Sequence, residues 1–270
     1  MQLMLERHTL PNGVVTYVSP LLKNIGVRHA FSTRIGGVSD TPFDSLNLGN
    51  PNGCDIQDPT ERVRANYVLL QEAARCAGIE RAYLWQVHGA VSYTLTPGSS
   101  HSNESKGDVL VSNDASRVLS IRIADCVPVL LAARDGKAVA AIHAGWRGVV
   151  GGAAIVGLKD LCKLHRAKPE DVLVGIGPAI GFDAFEVGPE VLDEFTGSFG
   201  SNAPIRRRDD GKGNVDLREA LRRQLLDAGV IASHIDSTDR CTHTHADEFF
   251  SHRRENGITG RMAAIVVANA

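Results

Sequence analysis

Three side chains able to bind a metal ion, or to act as nucleophile and base, stand at the ends of apolar stretches: His88, Cys126 and His143. His143 closes the run from Ala138 to Ile142, whose small and β-branched residues read as a buried strand. Cys126 follows Asp125 between the apolar runs Ile121–Ala124 and Val127–Leu131. His88 comes just before Gly89 at the end of Tyr83–Gly89, which also reads as a strand. Imidazole and thiolate are zinc ligands, and three protein ligands leave a fourth position for water or substrate. Without a metal, Cys126 and His143 suit a different chemistry, a thiolate nucleophile beside a histidine base. Spacing alone leaves a third reading open, in which the cysteine packs as a small hydrophobe and the histidines are unrelated.

Two glycine-bearing turns look suited to an anion. After His143 come Gly145, Gly148 and Gly151, then a helical pattern with Ile155, Leu158, Leu161 and Cys162 inward. A strand-to-helix turn leaves backbone N–H groups free for an anion, and Arg147 adds a fixed positive charge. The loop Arg34–Ser39 carries Gly36, Gly37, an arginine and nearby hydroxyls. It can approach a phosphate or sugar, and reads equally as a tight turn with a surface arginine. Asn47 between Leu46 and Leu48 is an unusual polar insertion that by itself reads as a turn asparagine. His243 and His245 share a side if extended, but an exposed polar loop is the expectation there. His101, in the turn-rich loop Pro97–Lys106, is expected to face solvent. Ser198–Gly213, where Arg206, Arg207 and Arg208 precede Asp209 and Asp210, is expected to be a solvated loop.

The elements that must position these groups are legible as well. Gly13–Ser19, Val27–Thr33, Gly107–Val111, Val118–Ile123, Val172–Ile176 and Met262–Ala268 read as strands. Asp58-Pro59-Thr60-Glu61 opens a helix with Asp58 as cap, Val63, Tyr67, Leu70, Ala74 and Ala77 inward, and Gly78 as its stop. Pro189 starts a short helix. Asp216 and Glu219 form a capping box for a helix with Leu217, Leu221, Leu225 and Ala228 inward and Gly229 at its end. With no internal repeat or linker, residues 1–270 read as one α/β domain with a mixed sheet or sheets.

Composition narrows the partners. Net charge is −2, with 43% hydrophobic and 22% charged residues, so nothing electrostatic favours nucleic acid or an anionic membrane as partner. No apolar run approaches the ~20 residues that span a bilayer. Charge at Glu6 and Arg7 comes too early for a secretory signal. Five unevenly spaced cysteines suit reduced thiols, so the expected location is the cytoplasm. The oligomeric state is left open.

Gln86-Val-His88-Gly89, Ala124-Asp-Cys126-Val-Pro-Val-Leu130, His143-Ala-Gly-Trp-Arg-Gly148, Ile176-Gly-Pro178 and Phe185-Glu-Val-Gly188 form a specific set. With Cys241-Thr242, Phe249–Arg254, Thr259-Gly-Arg261, Phe31–Ser39 and Leu46-Asn47-Leu48-Gly49, it closely resembles the YfiH-type laccase-domain family over nearly the whole chain. That family is regarded as purine nucleoside phosphorylases and includes a human relative, FAMIN. The resemblance implies a four-layer α-β-β-α arrangement and zinc held by His88, Cys126 and His143. It also implies phosphorolysis of adenosine, inosine, guanosine and methylthioadenosine, with some adenosine deamination. Phe185 stands where many members carry tyrosine, and Tyr67 follows Asn66 where an arginine is common.

Phosphorolysis needs an anion beside C1′ and a stabilised leaving purine. Arg34, Arg147 and the backbone after His143 are the candidates for phosphate. Gln86 and Asn47 are the candidates for ribose or base. Copper is disfavoured: a polyphenol oxidase wants several copper centres, and among ten histidines only His243 and His245 form a His-x-His pair. The rival functions are a metal-free Cys–His hydrolase or deamidase, peptidoglycan editing included, and a non-enzymatic small-molecule binding protein.

Overall fold

The computed structural model describes residues 4–51 and 53–270, so the start of the amino-terminal stretch discussed above lies outside the described residues. Two six-stranded mixed sheets stack face to face. The first runs Glu6–Thr9, Val15–Val18, Arg28–Ser32, Met262–Val267, Arg117–Ile123, Glu80–Ala82, with only the last pair parallel. The second runs Ile235–Asp236, Val172–Ile176, Val127–Ala133, Val139–Ala144, Val109–Ser112, Ser92–Leu95, and its two outermost pairs are parallel.

Strand alternation builds the layers, because successive side chains leave a strand on opposite faces. From Met262–Val267, Met262, Ala264 and Val266 enter the space between the sheets with Leu130, Val139 and Ala141 of the second. Ala263, Ile265 and Val267 face the other way, onto Tyr67 and Leu70 of the helix Thr60–Ala73. In the second sheet, Ala140 and Ile142 turn outward against Leu158 and Leu161 of the helix Ala153–His165 and Leu221 of the helix Leu217–Asp227. The result is helix, sheet, sheet, helix, the four-layer arrangement expected. Both faces of the central strands are therefore apolar, which is why they read as continuous hydrophobic runs.

Asp216 caps its helix through the Glu219 N–H at 3.0 Å, and Pro189 opens the helix Pro189–Phe199, both as the sequence predicts. All five cysteines are free thiols. Among the described residues no helix is long and apolar enough to cross a membrane.

Four local expectations change. Tyr83–Gly89 is not a strand: pairing ends at Ala82, and only Trp85 makes an isolated bridge to Lys106. At the far end of this stretch His88, with a left-handed φ of 61°, turns the chain away from a sheet. Residues 205–215 are not simply a solvated loop. Ile205–Arg207 and Gly213–Val215 pair in a small sheet with Glu186–Val187, allowed because Gly213 lies too close to the Arg206 carbonyl for any side chain. The helix expected after the glycines does form, Ala153–His165, entered through Gly152 at φ 73°, and a shorter helix, Trp146–Val150, precedes it. His101 is half-buried, its Nε2 2.9 Å from the Tyr83 carbonyl. At the helix Thr60–Ala73 the capping position falls to Pro59, because the Asp58 carboxylate accepts from Ser39 Oγ and Asn47 Nδ2 instead.

Candidate metal centre

His88, Cys126 and His143 come together: one ligand atom from each lies within 4.8 Å of the others. The His88 and His143 rings meet edge to face at a centroid distance of 5.0 Å. His143 and Cys126 sit at the open end of the hairpin formed by Val127–Ala133 and Val139–Ala144, away from its turn, since Pro128 pairs with His143 and Val127 with Ala144. His143 is buried, Cys126 half-buried and His88 exposed, so the cluster opens toward solvent on the His88 side. Gly145 closes in on it. A methyl group there would lie 3.0 Å from Cys126 Sγ and 3.1 Å from His88 Cδ2.

Two buried carboxylates hold this geometry. Asp108 is fully buried, and its Oδ1 lies 2.8 Å from His143 Nδ1. The same carboxylate accepts from the N–H groups of His88 at 3.0 Å and Gly89 at 2.7 Å, fixing the left-handed turn that carries His88. Burial pushes the Asp108 carboxyl up, but His143 and the backbone donors outweigh it and hold its pKa below the usual range. Asp125 is also left-handed, at φ 85°. Thr242 Oγ1, Ser251 Oγ and the Arg253 N–H all donate to it, at 2.6, 3.0 and 2.7 Å. Strained backbone directly at one ligand and directly before another marks a site whose surroundings over-determine it.

The electrostatics follow from the same contacts. Burial pushes the Cys126 thiol up, but the facing His143 and His88 bring it down to about 6. Burial presses His143 down, while Cys126 and Asp108 raise it to about 9. The pair is therefore a thiolate beside an imidazolium when no metal binds. With Nδ1–H directed at Asp108, Nε2 of His143 is left to face the thiol side.

The cluster forms one wall of a cavity of about 370 Å³, within the range of small-molecule sites. Trp146, Phe185, Ile180 and Leu217 supply apolar surface, and Arg122, Arg147, Arg253 and Arg261 supply positive charge. Phe185 lies under the Arg253 guanidinium at 5.3 Å, and Trp146 under that of Arg147 at 4.2 Å.

Of the substrate candidates named from sequence, Arg147 and Gln86 line this cavity. Gln86 holds Arg122: its Nε2 donates to the Arg122 carbonyl and its Oε1 accepts the Arg122 N–H, both at 2.8 Å. The structure does not bring Arg34 or Asn47 to the cavity. The Arg34 guanidinium donates to the Asp44 and Ala246 carbonyls, pairs with the Asp44 carboxylate at 3.2 Å and stacks 4.5 Å over Phe250. Asn47 is fully buried, joined to Asp58, Gly49 and the Arg261 N–H. His243 and His245 stay outside the cluster.

Sequence reasoning missed Asp108, Arg122, Arg253 and His252 as parts of the site. Two carried a signal. Arg122 is a charged residue inside the apolar strand Arg117–Ile123, and Asp108 is an acidic residue directly before the apolar Val109–Val111.

The sequence model of the family described as "Multi-copper polyphenol oxidoreductase laccase" matches residues 28–269. A Shigella flexneri protein named purine nucleoside phosphorylase YfiH is 39% identical over 89% of this chain and 93% of its own length. The Geobacillus stearothermophilus protein named purine nucleoside phosphorylase YlmD is 37% identical, covering 89% of this chain and 90% of its own. The crystal structure of YlmD from Geobacillus stearothermophilus superposes with a TM-score of 0.87 at 32% identity, covering 98% of this chain and 99% of that one.

Proposed function

The chain belongs to the family described as multi-copper polyphenol oxidoreductase laccase, and on that premise we propose that it is a zinc-dependent purine nucleoside phosphorylase of the cytoplasm. Adenosine, inosine, guanosine and methylthioadenosine are its substrates with inorganic phosphate, and adenosine deamination is a side activity. The observation that carries this reading is the His88–Cys126–His143 cluster opening on a cavity that is both aromatic and strongly cationic. Purine rings stack on aromatic faces, and guanidinium groups pair with phosphate.

The donor set fits zinc. One thiolate and two imidazoles form a three-ligand site, with Asp108 behind His143 as the outer partner that ligating histidines need. A laccase-type reaction wants several copper centres, and this cluster is the one such group among the described residues. When bound, zinc supplies a Lewis acid at the wall of the cavity. The protein's own groups do the rest. Asp108 holds the His143 tautomer, Trp146 and Phe185 face the purine, and the arginines hold the phosphate dianion beside the ribose.

Phosphorolysis attacks C1′ and deamination attacks C6, so the two reactions require two poses of adenosine at one site. Added phosphate then shifts the products from inosine and ammonia toward free base. Chromatography of nucleosides incubated with and without phosphate tests this directly. The purified protein should carry about one zinc per chain, as a three-ligand site implies. Cys126→Ala should remove most of it and abolish both reactions together. Full zinc occupancy in a Cys126→Ala, His143→Ala double variant refutes the ligand assignment.

One observation favours a second reading. Cys126, His143 and Asp108 also line up as thiolate, imidazolium and orienting carboxylate, the arrangement of a metal-free cysteine hydrolase or deamidase. Metal-stripped protein that retains full activity would establish it instead.

A further inference from the structure

We propose that Arg122 and Arg261 together form the phosphate-binding end of the cavity. The inference rests on the phosphorylase reading and adds to it which groups take the anion.

Arg122 lies on the strand Arg117–Ile123, and Arg261 directly precedes its antiparallel neighbour Met262–Val267. Ile123 pairs with Met262, which places Arg122 and Arg261 beside that rung of the ladder, and both line the cavity. Gly49 keeps the space between them open. A methyl group there would meet Arg122 Cδ at 2.8 Å and Arg261 Cβ at 3.6 Å. Each arginine is held by its backbone through a side-chain amide. Gln86 grips the Arg122 N–H and carbonyl, while Oδ1 of the buried Asn47 accepts from both the Arg261 and Gly49 N–H groups at 2.9 and 3.1 Å.

Neither guanidinium forms an ion pair with a carboxylate among the described residues, although the charges of Asp125 and Cys126 are nearby. Arg261 Nη1 donates only to the Thr259 and Gly260 carbonyls, which fixes the plane and leaves Nε and Nη2 available. The Arg122 guanidinium has no hydrogen bond or ion pair among the described residues. Asp125 is the one carboxylate lining the cavity, and its oxygens are taken by Thr242, Ser251 and the Arg253 N–H. Burial and the charge on Arg122 lower the Arg261 pKa, and the negative charges of Cys126 and Asp125 offset them only in part. Two cations held side by side with no acid paired to either are stabilised by a dianion that both can contact, and the planar fork of guanidinium matches phosphate oxygens. The recognised chemistry is a phosphate dianion, either free or as a sugar phosphate.

The test is calorimetric titration of the metal-loaded, full-length protein with inorganic phosphate, with ribose 1-phosphate and with inosine, each alone. Arg122→Gln and Arg261→Gln should each weaken phosphate binding by about tenfold or more, the loss expected for one charge-assisted contact. Inosine binding should stay within about twofold. Arg122→Lys and Arg261→Lys, which keep the charge, should recover part of the loss, a result that a merely unfolded variant cannot give. A loss for ribose 1-phosphate alone assigns the subsite to the sugar phosphate. Unchanged binding of both phosphates in both glutamine variants overturns the proposal, and a loss in Arg147→Gln instead moves the subsite there. Wild-type protein that binds inosine but neither phosphate overturns the phosphorylase reading itself.

Discussion

The carboxylate of Asp108 joins His143 to the turn that carries His88. It lies 2.8 Å from His143 Nδ1 while accepting the His88 N–H at 3.0 Å. One buried acid therefore sets the tautomer of one candidate ligand and the backbone conformation of another. Such a carboxylate raises the basicity of the imidazole and fixes its orientation, and removing it typically weakens metal binding.

Asp108→Asn should leave the sheets intact, because the amide oxygen can still accept one of the backbone N–H groups. Metal affinity should fall by about ten- to a hundredfold, measured by competition with a chromophoric chelator. Wild-type affinity in that variant would mean that His143 needs no carboxylate to be oriented.

Gly145→Ala tests how tightly the cluster is enclosed. Its added methyl would sit 3.0 Å from Cys126 Sγ and 3.1 Å from His88 Cδ2, closer than unstrained contacts allow. Overpacking of this kind costs about 1–3 kcal/mol, here concentrated on two ligand side chains. The expected outcome is a marked loss of bound metal, read by elemental analysis, with circular dichroism unchanged.

Asn47→Ala removes three hydrogen bonds inside the protein, to Asp58, Gly49 and Arg261. Leaving those buried partners unmet should cost about 3 kcal/mol or more. Thermal unfolding should move down by several degrees, whether or not a nucleoside is present. A variant of wild-type stability that had lost only nucleoside affinity would return Asn47 to the substrate-binding role its sequence position suggested.

His29 gives a pH dependence. Its Nδ1 lies 2.8 Å from the Val27 carbonyl and its Nε2 accepts the Ser19 N–H at 2.9 Å, so the neutral ring is built into the fold. Burial, with Lys23 adding to it, lowers its pKa from 6.5 to about 4. Between those values the unfolded chain binds a proton that the folded chain does not, so stability falls as pH falls. The contribution is fully present above pH 6.5 and reaches about 3 kcal/mol of loss near pH 4. His29→Gln keeps an acceptor for Ser19 without the titration, so the stability gap to wild type should narrow on going from pH 7 to pH 4.5. A constant gap would show that His29 protonates in the fold as easily as outside it.

The sequence by itself determined the features that depend on neighbours along the chain. The near-continuous apolar runs of Met262–Val267 and Val127–Ala133 announced buried strands, and Asp216 with Glu219 announced a cap. Ligand chemistry at three strand-end positions was legible from residue type and from the family resemblance. Tertiary structure alone decided which polar residues serve the site. Arg34 and Arg261 are both arginines beside glycines, yet one is turned onto Phe250 and Asp44 and the other lines the cavity. Asp108 became part of the centre only when Val109–Ser112 paired with Val139–Ala144, bringing its carboxylate to His143. Tyr83–Gly89 carries a strand's pattern, yet pairing stops at Ala82, and at the end of the stretch the His88 and Gly89 N–H groups donate to Asp108 in a left-handed turn. Local sequence sets which faces are buried and where turns form. Register between strands far apart in the chain sets which buried charges meet, and no periodicity encodes that.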